Sequence, residues 1–173
     1  MKIAIILTAL FFTLTASAQT TQTLKKHSIS NSGCSIYNYC HPKYDVDFSN
    51  DSSKIYTGEC ISDGVTYGVV CVKLLNTVTD LQVAEDLMIA YVDFLKGNFN
   101  IVKAAGYGRG HILNKNENTR GILDYWEDAE KDKWKIKAWT DGRYIGFVYA
   151  YGKKDLPESK VNVFLDSFRL PEK

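Results

Sequence analysis

Four cysteines set around one tight turn constrain this chain more than any other feature. Cys34, Cys40, Cys60 and Cys71 all fall in the first half, and Asp63-Gly64 separates the last two. An Asp-Gly pair between apolar-rich runs is a strong hairpin signal. With that pair as the turn, Ser62 faces Val65, Cys60 faces Tyr67 and Cys71 faces Tyr56. The two hairpin thiols then stand four residues out of register, beyond the roughly 7 Å Cα separation a disulfide tolerates. Cys34 and Cys40 are equally too distant if the β-favouring Ile36, Tyr37 and Tyr39 hold the segment between them extended. The expectation is two disulfides from the first strand to the hairpin, with the pairing between them left open. Neither cysteine pair has the two-to-four-residue gap of a zinc knuckle.

Disulfides require an oxidising compartment, and the start of the chain supplies one. Lys2 precedes an apolar run from Ile3 to Leu14, and Ala16-Ser17-Ala18 has the small residues that a signal peptidase cuts after. Residues 1–18 therefore read as a signal peptide, and the mature chain begins at Gln19. The run is too short to span a bilayer and no later stretch is long and apolar enough. No cysteine follows the cut to carry a lipid anchor. The expected location is exported, either periplasmic or extracellular, with no membrane span.

Removing 18 of 173 residues leaves 155, the size of one domain. The leader carries one of the 21 basic residues and no acid, leaving 20 basic against 20 acidic. Such a balance gives no reason to expect nucleic acid as a partner. Residues 19–33 are polar and unpatterned, the composition of a flexible leader. A single α+β domain is expected over 34–173. It opens with a strand at about 34–40, then a loop holding Asp45, Asp47 and Asp51, then hairpin strands at 55–62 and 65–75. Thr79 with Gln82 resembles a capping box and Gly97 suits a C-terminal cap, bracketing a helix with Leu81, Ala84, Leu87, Met88, Tyr91 and Leu95 at helical spacing. Strands follow at 100–105, 111–114, 121–127, 134–140 and 143–151, an antiparallel meander. Asp155, Glu158 and Pro157 open a last helix whose Val161, Phe164, Leu165 and Phe168 form an apolar stripe. The fold class is an antiparallel sheet with helices packed on it.

The closing Phe164-Leu165-Asp166-Ser167-Phe168-Arg169-Leu170, after a strand meander and a mid-chain helix, resembles the end of PsbP-like domains, whose last helix carries a similar Phe-x-x-Ser-Phe pattern. Many secreted relatives have a Phe-Pro-x-x-Pro-like segment after the first strand, where this chain has Cys40-His41-Pro42 and no second proline. The resemblance implies an α/β/α sandwich used mostly as a binding or accessory module, and it implies no catalytic set.

Gly106-Tyr107-Gly108-Arg109-Gly110-His111 has the glycine density of a phosphate loop but lies between two strands, where a connection or bulge is expected. The three histidines are His27 in the leader, His41 before a proline and His111 at a strand start. A small extracytoplasmic hydrolase would need His41 or His111 beside a carboxylate, and no Gly-x-Ser-x-Gly elbow supplies a serine. Asp45 and Asp47 lack the placement of a glycosidase pair. With Asp51 they also lack the spacing of a calcium loop. Nothing calls for a metal or a cofactor. An Asp141-Gly142 turn places Lys135, Lys137 and Trp139 on one face with Tyr144, and Trp126 is expected to join them. Flat aromatics among lysines suit a glycan or a protein partner in the envelope or medium. Lysine stems over tryptophans also occur as ordinary sheet packing.

Overall fold

The computed structural model describes residues 23–171, so the signal peptide and residues 19–22 lie outside the described residues. Ten strands and two helices follow in order: β1 (Lys25–Ser28), β2 (Ser35–Asn38), β3 (Lys43–Phe48), β4 (Lys54–Ser62), β5 (Val65–Lys73), α1 (Leu81–Asn98), β6 (Ile101–Ala104), β7 (Gly108–His111), β8 (Arg120–Asp128), β9 (Lys133–Thr140), β10 (Tyr144–Gly152) and α2 (Glu158–Leu165). Eight strands form one antiparallel sheet in the order β3-β4-β5-β10-β9-β8-β6, with β7 also on β8; β1 and β2 form a separate ribbon. Among the described residues no helix is long and apolar enough to cross a membrane.

The β4–β5 turn forms at Asp63-Gly64, where φ is 52° and 76°. Two positive φ values match the twist of a hairpin. The register is the expected one, with Ser62 opposite Val65, Cys60 opposite Tyr67 and Tyr56 opposite Cys71. The β9–β10 turn is shifted, pairing Thr140 with Ile145 rather than leaving Asp141-Gly142 as the loop. The reason is the Asp141 carboxylate, which accepts from the Arg143 amide at 2.9 Å and the Tyr144 amide at 3.0 Å. Gly142, at φ 79°, becomes the first central residue. A slip of two residues preserves which side chains share a face, because the strand period is two.

β5 and β10 are central strands buried along nearly their whole length. One sheet face packs Val70, Val72, Ile122, Trp126, Ile136, Ala138 and Phe147 against Met88, Val92 and Leu95 of α1. The opposite face packs Tyr67, Val69, Trp139, Tyr144 and Val148 against Val161, Phe164 and Leu165 of α2, Phe168 beyond it, and Ile29 and Ile36 of the ribbon. The result is a β-rich α+β domain with helices on both faces. Asp80, not Thr79, caps α1, its Oδ1 accepting from the Gln82 and Val83 amides at 2.7 and 3.2 Å. α1 runs through Gly97, and Asn100 takes the left-handed conformation just beyond it.

Order starts earlier than the polar composition of 19–33 implies. β1 lies within that stretch, paired residue for residue with β2, and Ile29 is fully buried. Asp45 and Asp47 sit on an edge strand, β3, rather than a loop. Asp51 does lie in a turn, where it accepts from Ser49 Oγ, the Ser53 amide and Ser53 Oγ. Those bonds lower its pKa, and they occupy the oxygens a cation would need. Residues 113–115 form a short 3-10 turn instead of the end of a strand.

The cysteines form one disulfide rather than two. Cys40 and Cys60 are bonded, with Cα atoms 5.8 Å apart, a cross-bridge of the expected kind from the opening segment to the hairpin. Cys34 and Cys71 are buried free thiols. The Cys71 thiol hydrogen-bonds with Cys34, and this bond together with burial holds it well above the usual thiol range. A thiol kept protonated is not the nucleophile that disulfide formation requires.

At the β6 edge, Lys103, 2.6 Å away, and Lys133 flank Glu127 and lower its pKa to about 2. A depressed carboxylate contributes stability that is present above its unfolded value and disappears as pH falls through the folded one. The stability difference between the wild type and Glu127→Gln is therefore expected to be largest above about pH 5 and to vanish near pH 2. Urea midpoints measured across that range check it; a difference that does not change with pH would contradict the assignment.

Candidate functional site

The residues expected to make one aromatic and lysine-bearing face are divided between two faces. β8 pairs with β9 as Trp126 opposite Trp134 and Leu123 opposite Lys137. Trp126 therefore turns toward α1, while Trp139 and Tyr144 turn toward α2. Lys135 and Lys137 alternate with Trp134 and Ile136 and so share the α2 side. The expected surface does not form, because Trp126, Trp139, Tyr144 and Lys135 are buried and Lys137 is half-buried.

Each of these side chains has internal neighbours. Lys135 Nζ donates to Glu158 Oε2 at 3.1 Å, and Lys137 pairs with Asp166, so both lysines fasten the ends of α2 to the sheet. The Tyr144 hydroxyl donates to the Ser32 carbonyl at 3.1 Å, joining the sheet to the β1–β2 ribbon. Trp139 lies across Gly121, where a Cβ would overlap its ring. Trp126 donates its indole N–H to Asp124 Oδ2 at 2.7 Å.

The two histidines considered for hydrolysis do not meet an acid. His111 packs edge-on to Trp139 with ring centroids 6.4 Å apart. His41 meets His27, Nδ1 to Nδ1, at 3.2 Å. Partial burial first, and then the charges of His41 and Lys25, lower the His27 pKa from its usual value. Among the described residues neither His41 nor His111 forms an ion pair with a carboxylate. Nor does any group of three or more His, Cys, Asp and Glu among them converge as metal ligands. The glycine-rich 106–111 segment joins β6 to β7, and no helix follows it. Its Gly106 amide donates to Asp124 at 2.9 Å, which makes it part of a structural lock.

The largest cavity, about 610 Å³, opens at the sheet end where the β9–β10 turn, the β5–α1 connection and the β7–β8 connection meet. Polar groups dominate its lining: Asn114, Asn116, Asn118, Arg143, Arg169 and Thr77. Arg143 is held in place by a fork on Asp141 Oδ2, Nε at 2.8 Å and Nη2 at 2.7 Å. Arg169 Nη1 donates to the carbonyls of Asp166 and Phe168 at 2.8 and 2.7 Å, fixing its stem at the rim. Two successive non-glycine residues on the wall, Asn114 and Lys115, have φ of 51° and 61°. Asparagine tolerates that region; lysine there is strained by the surrounding packing, a feature that gathers at ligand clamps. Val78, Leu81 and Leu113 supply apolar wall.

None of the cleft residues was picked out from the sequence. Asn114, Asn116 and Asn118 read there as turn residues, and Arg143 and Arg169 approach them only through the closed sheet and the chain beyond α2. The sequence matches no family model and no curated protein. Fold and cleft together define a β-rich α+β domain with one ligand-sized polar depression at the end of its sheet.

Proposed function

We propose that the chain is an exported, non-enzymatic binding or accessory domain on a PsbP-like α/β/α sandwich, and that its ligand occupies the cleft between Asn114 and Arg143. The observation that carries this reading is the cleft itself. Its volume of about 610 Å³ lies in the range of small-ligand sites. Two guanidinium groups fit carboxylate oxygens, three asparagine amides fit hydroxyls, and the apolar wall fits the C–H face of a ring. The chemical class that matches is an anionic, hydroxyl-rich ligand, an acidic glycan of the envelope or medium. The buried Cys40–Cys60 cross-link and the leader support export.

Uronic-acid oligosaccharides are the direct probe. Titrated into isotope-labelled protein, they are expected to move the amide signals of Asn114, Asn116, Asn118 and Arg143. Arg143→Ala and Arg169→Ala should each weaken binding by about 1.5–3 kcal/mol, the size of a hydrogen bond to a charged group. Saturable binding that leaves those amides unmoved, or that survives both substitutions, would remove the cleft as the site.

A further inference from the structure

We propose that His27 and His41 form a binding site for a single borderline divalent metal ion, zinc or copper. The two Nδ1 atoms face one another at 3.2 Å, with ring centroids 5.0 Å apart and the rings tilted at 62°. Imidazole nitrogens bind zinc at about 2.0–2.1 Å. Two nitrogens 3.2 Å apart, both at that distance from one ion, subtend an angle of about 100°, close to tetrahedral. No rotation of either ring is needed to meet that condition.

The backbone holds the pair in place. His27 is in the centre of β1, registered opposite Ile36 of β2. His41 follows Cys40, whose bond to Cys60 anchors that loop to the main sheet. A cavity of about 350 Å³ lies against both histidines, with Lys25, Asn38 and Tyr39 on its walls. It is open to solvent, so water completes the coordination shell. Two protein ligands and open positions describe an exchangeable site rather than a closed structural one.

The chemistry of the cleft selects the ion. Nitrogen donors suit zinc, copper and nickel, whereas calcium and magnesium require clustered oxygens. Lys25 adds positive charge and no carboxylate lines the cavity, so charge alone attracts no cation there. Affinity has to come from the two imidazoles acting together. Loss of either one therefore removes most of it, and loss of both costs little more than loss of one.

The site does not overlap the polar cleft, since the two share no lining residue. Its test is therefore independent of the proposed glycan. Chelator-stripped full chain is titrated with zinc chloride by calorimetry. The expected result is one equivalent bound, at least tenfold weaker in His27→Ala and in His41→Ala, with the double variant within a few-fold of the singles. Imidazole nitrogen resonances should place the metal on Nδ1 of both rings. The melting temperature should rise with zinc in the wild type and stay constant in the variants, a readout that a folding defect alone does not mimic. Undiminished zinc binding in the double variant, no saturable binding in the wild type, or coordination through Nε2 would each overturn the proposal.

Discussion

Asp124→Ala is expected to destabilise the protein by about 3–5 kcal/mol, the cost of removing one partner from a buried, hydrogen-bonded ion pair. Asp124 is 0% exposed. Its Oδ1 accepts from the Gly106 amide at 2.9 Å and the Tyr125 amide at 2.8 Å; its Oδ2 accepts from the Trp126 indole at 2.7 Å and lies 3.8 Å from Lys96 Nζ. Lys96 in turn sits over the Tyr107 ring at 4.2 Å, and the Tyr107 hydroxyl donates to Asp93 at 2.5 Å. One carboxylate thus joins the end of α1, the bend between β6 and β7, and the middle of β8. A loss of that size is a large share of the 5–15 kcal/mol typical of a domain. Asn would keep the shape but turn an amide donor toward the donors it must satisfy, so Asp124→Asn should recover less than half of the loss. The discriminating variant is Asp124→Ala with Trp126→Phe. Because part of the cost is the indole N–H left without an acceptor, removing that donor should make the pair less than additive in urea unfolding. Strict additivity would show that the indole bond contributes nothing.

Asp124 also marks where the sequence reading reached its limit. The Asp63-Gly64 hairpin was legible to the residue, because an Asp-Gly turn fixes both register and face. Asp141-Gly142 located its hairpin but missed the register by two, since a side-chain acceptor on Asp141 captured the next two amides. The faces of β9 and β10 survived that error. β8 did not, because β8 and β9 are joined through Asp128–Asp132, a longer loop in which Lys131 takes φ 67° and the Asp128 carboxylate accepts the Asp132 amide at 2.8 Å. No dipeptide in that loop fixes parity, and a one-residue difference moved Trp126 and Asp124 to the α1 side.

The ribbon and the edge strand were illegible for a different reason. β1 is four polar residues whose only apolar anchor, Ile29, lies just outside it. β3 alternates Asp45 and Asp47 with Val46 and Phe48, an edge pattern in which both faces are largely solvent-exposed. Neither has the apolar content by which a strand is recognised in isolation. The His27–His41 contact depends on both the β1–β2 register and the Cys40 cross-link, so it exists only at the tertiary level. The polar cleft likewise assembles from three connections brought to one end by the order of the sheet.

Phe168→Ala is expected to cost a further class of stability, about 3–5 kcal/mol for a fully buried aromatic ring. Phe168 is 0% exposed and rests on the backbone of Gly146 in β10, where a Cβ would intrude into its ring. The neighbouring residues explain why the Phe-x-x-Ser-Phe pattern has its spacing. Phe164 and Phe168 enter the α2-side core, while Ser167 Oγ accepts from the Tyr37 amide at 3.1 Å and is 2.9 Å from the Tyr37 carbonyl, binding the end of α2 to β2. Ser35 and Arg169 then exchange backbone hydrogen bonds of 3.0 and 2.7 Å, extending β2 by one bridge. The motif is therefore a fastening of the last helix to the sheet and the ribbon at once, and glycine at 146 is its other half. Gly146→Ala should be strongly destabilising in the wild type and much less so in a Phe168→Ala background, where the vacated ring volume receives the added methyl. Thermal unfolding of the four proteins measures the coupling, at roughly 2–4 °C per kcal/mol for a chain of this size. Additive losses at the two positions would mean that ring and glycine act separately, and the packing account of the motif would fail.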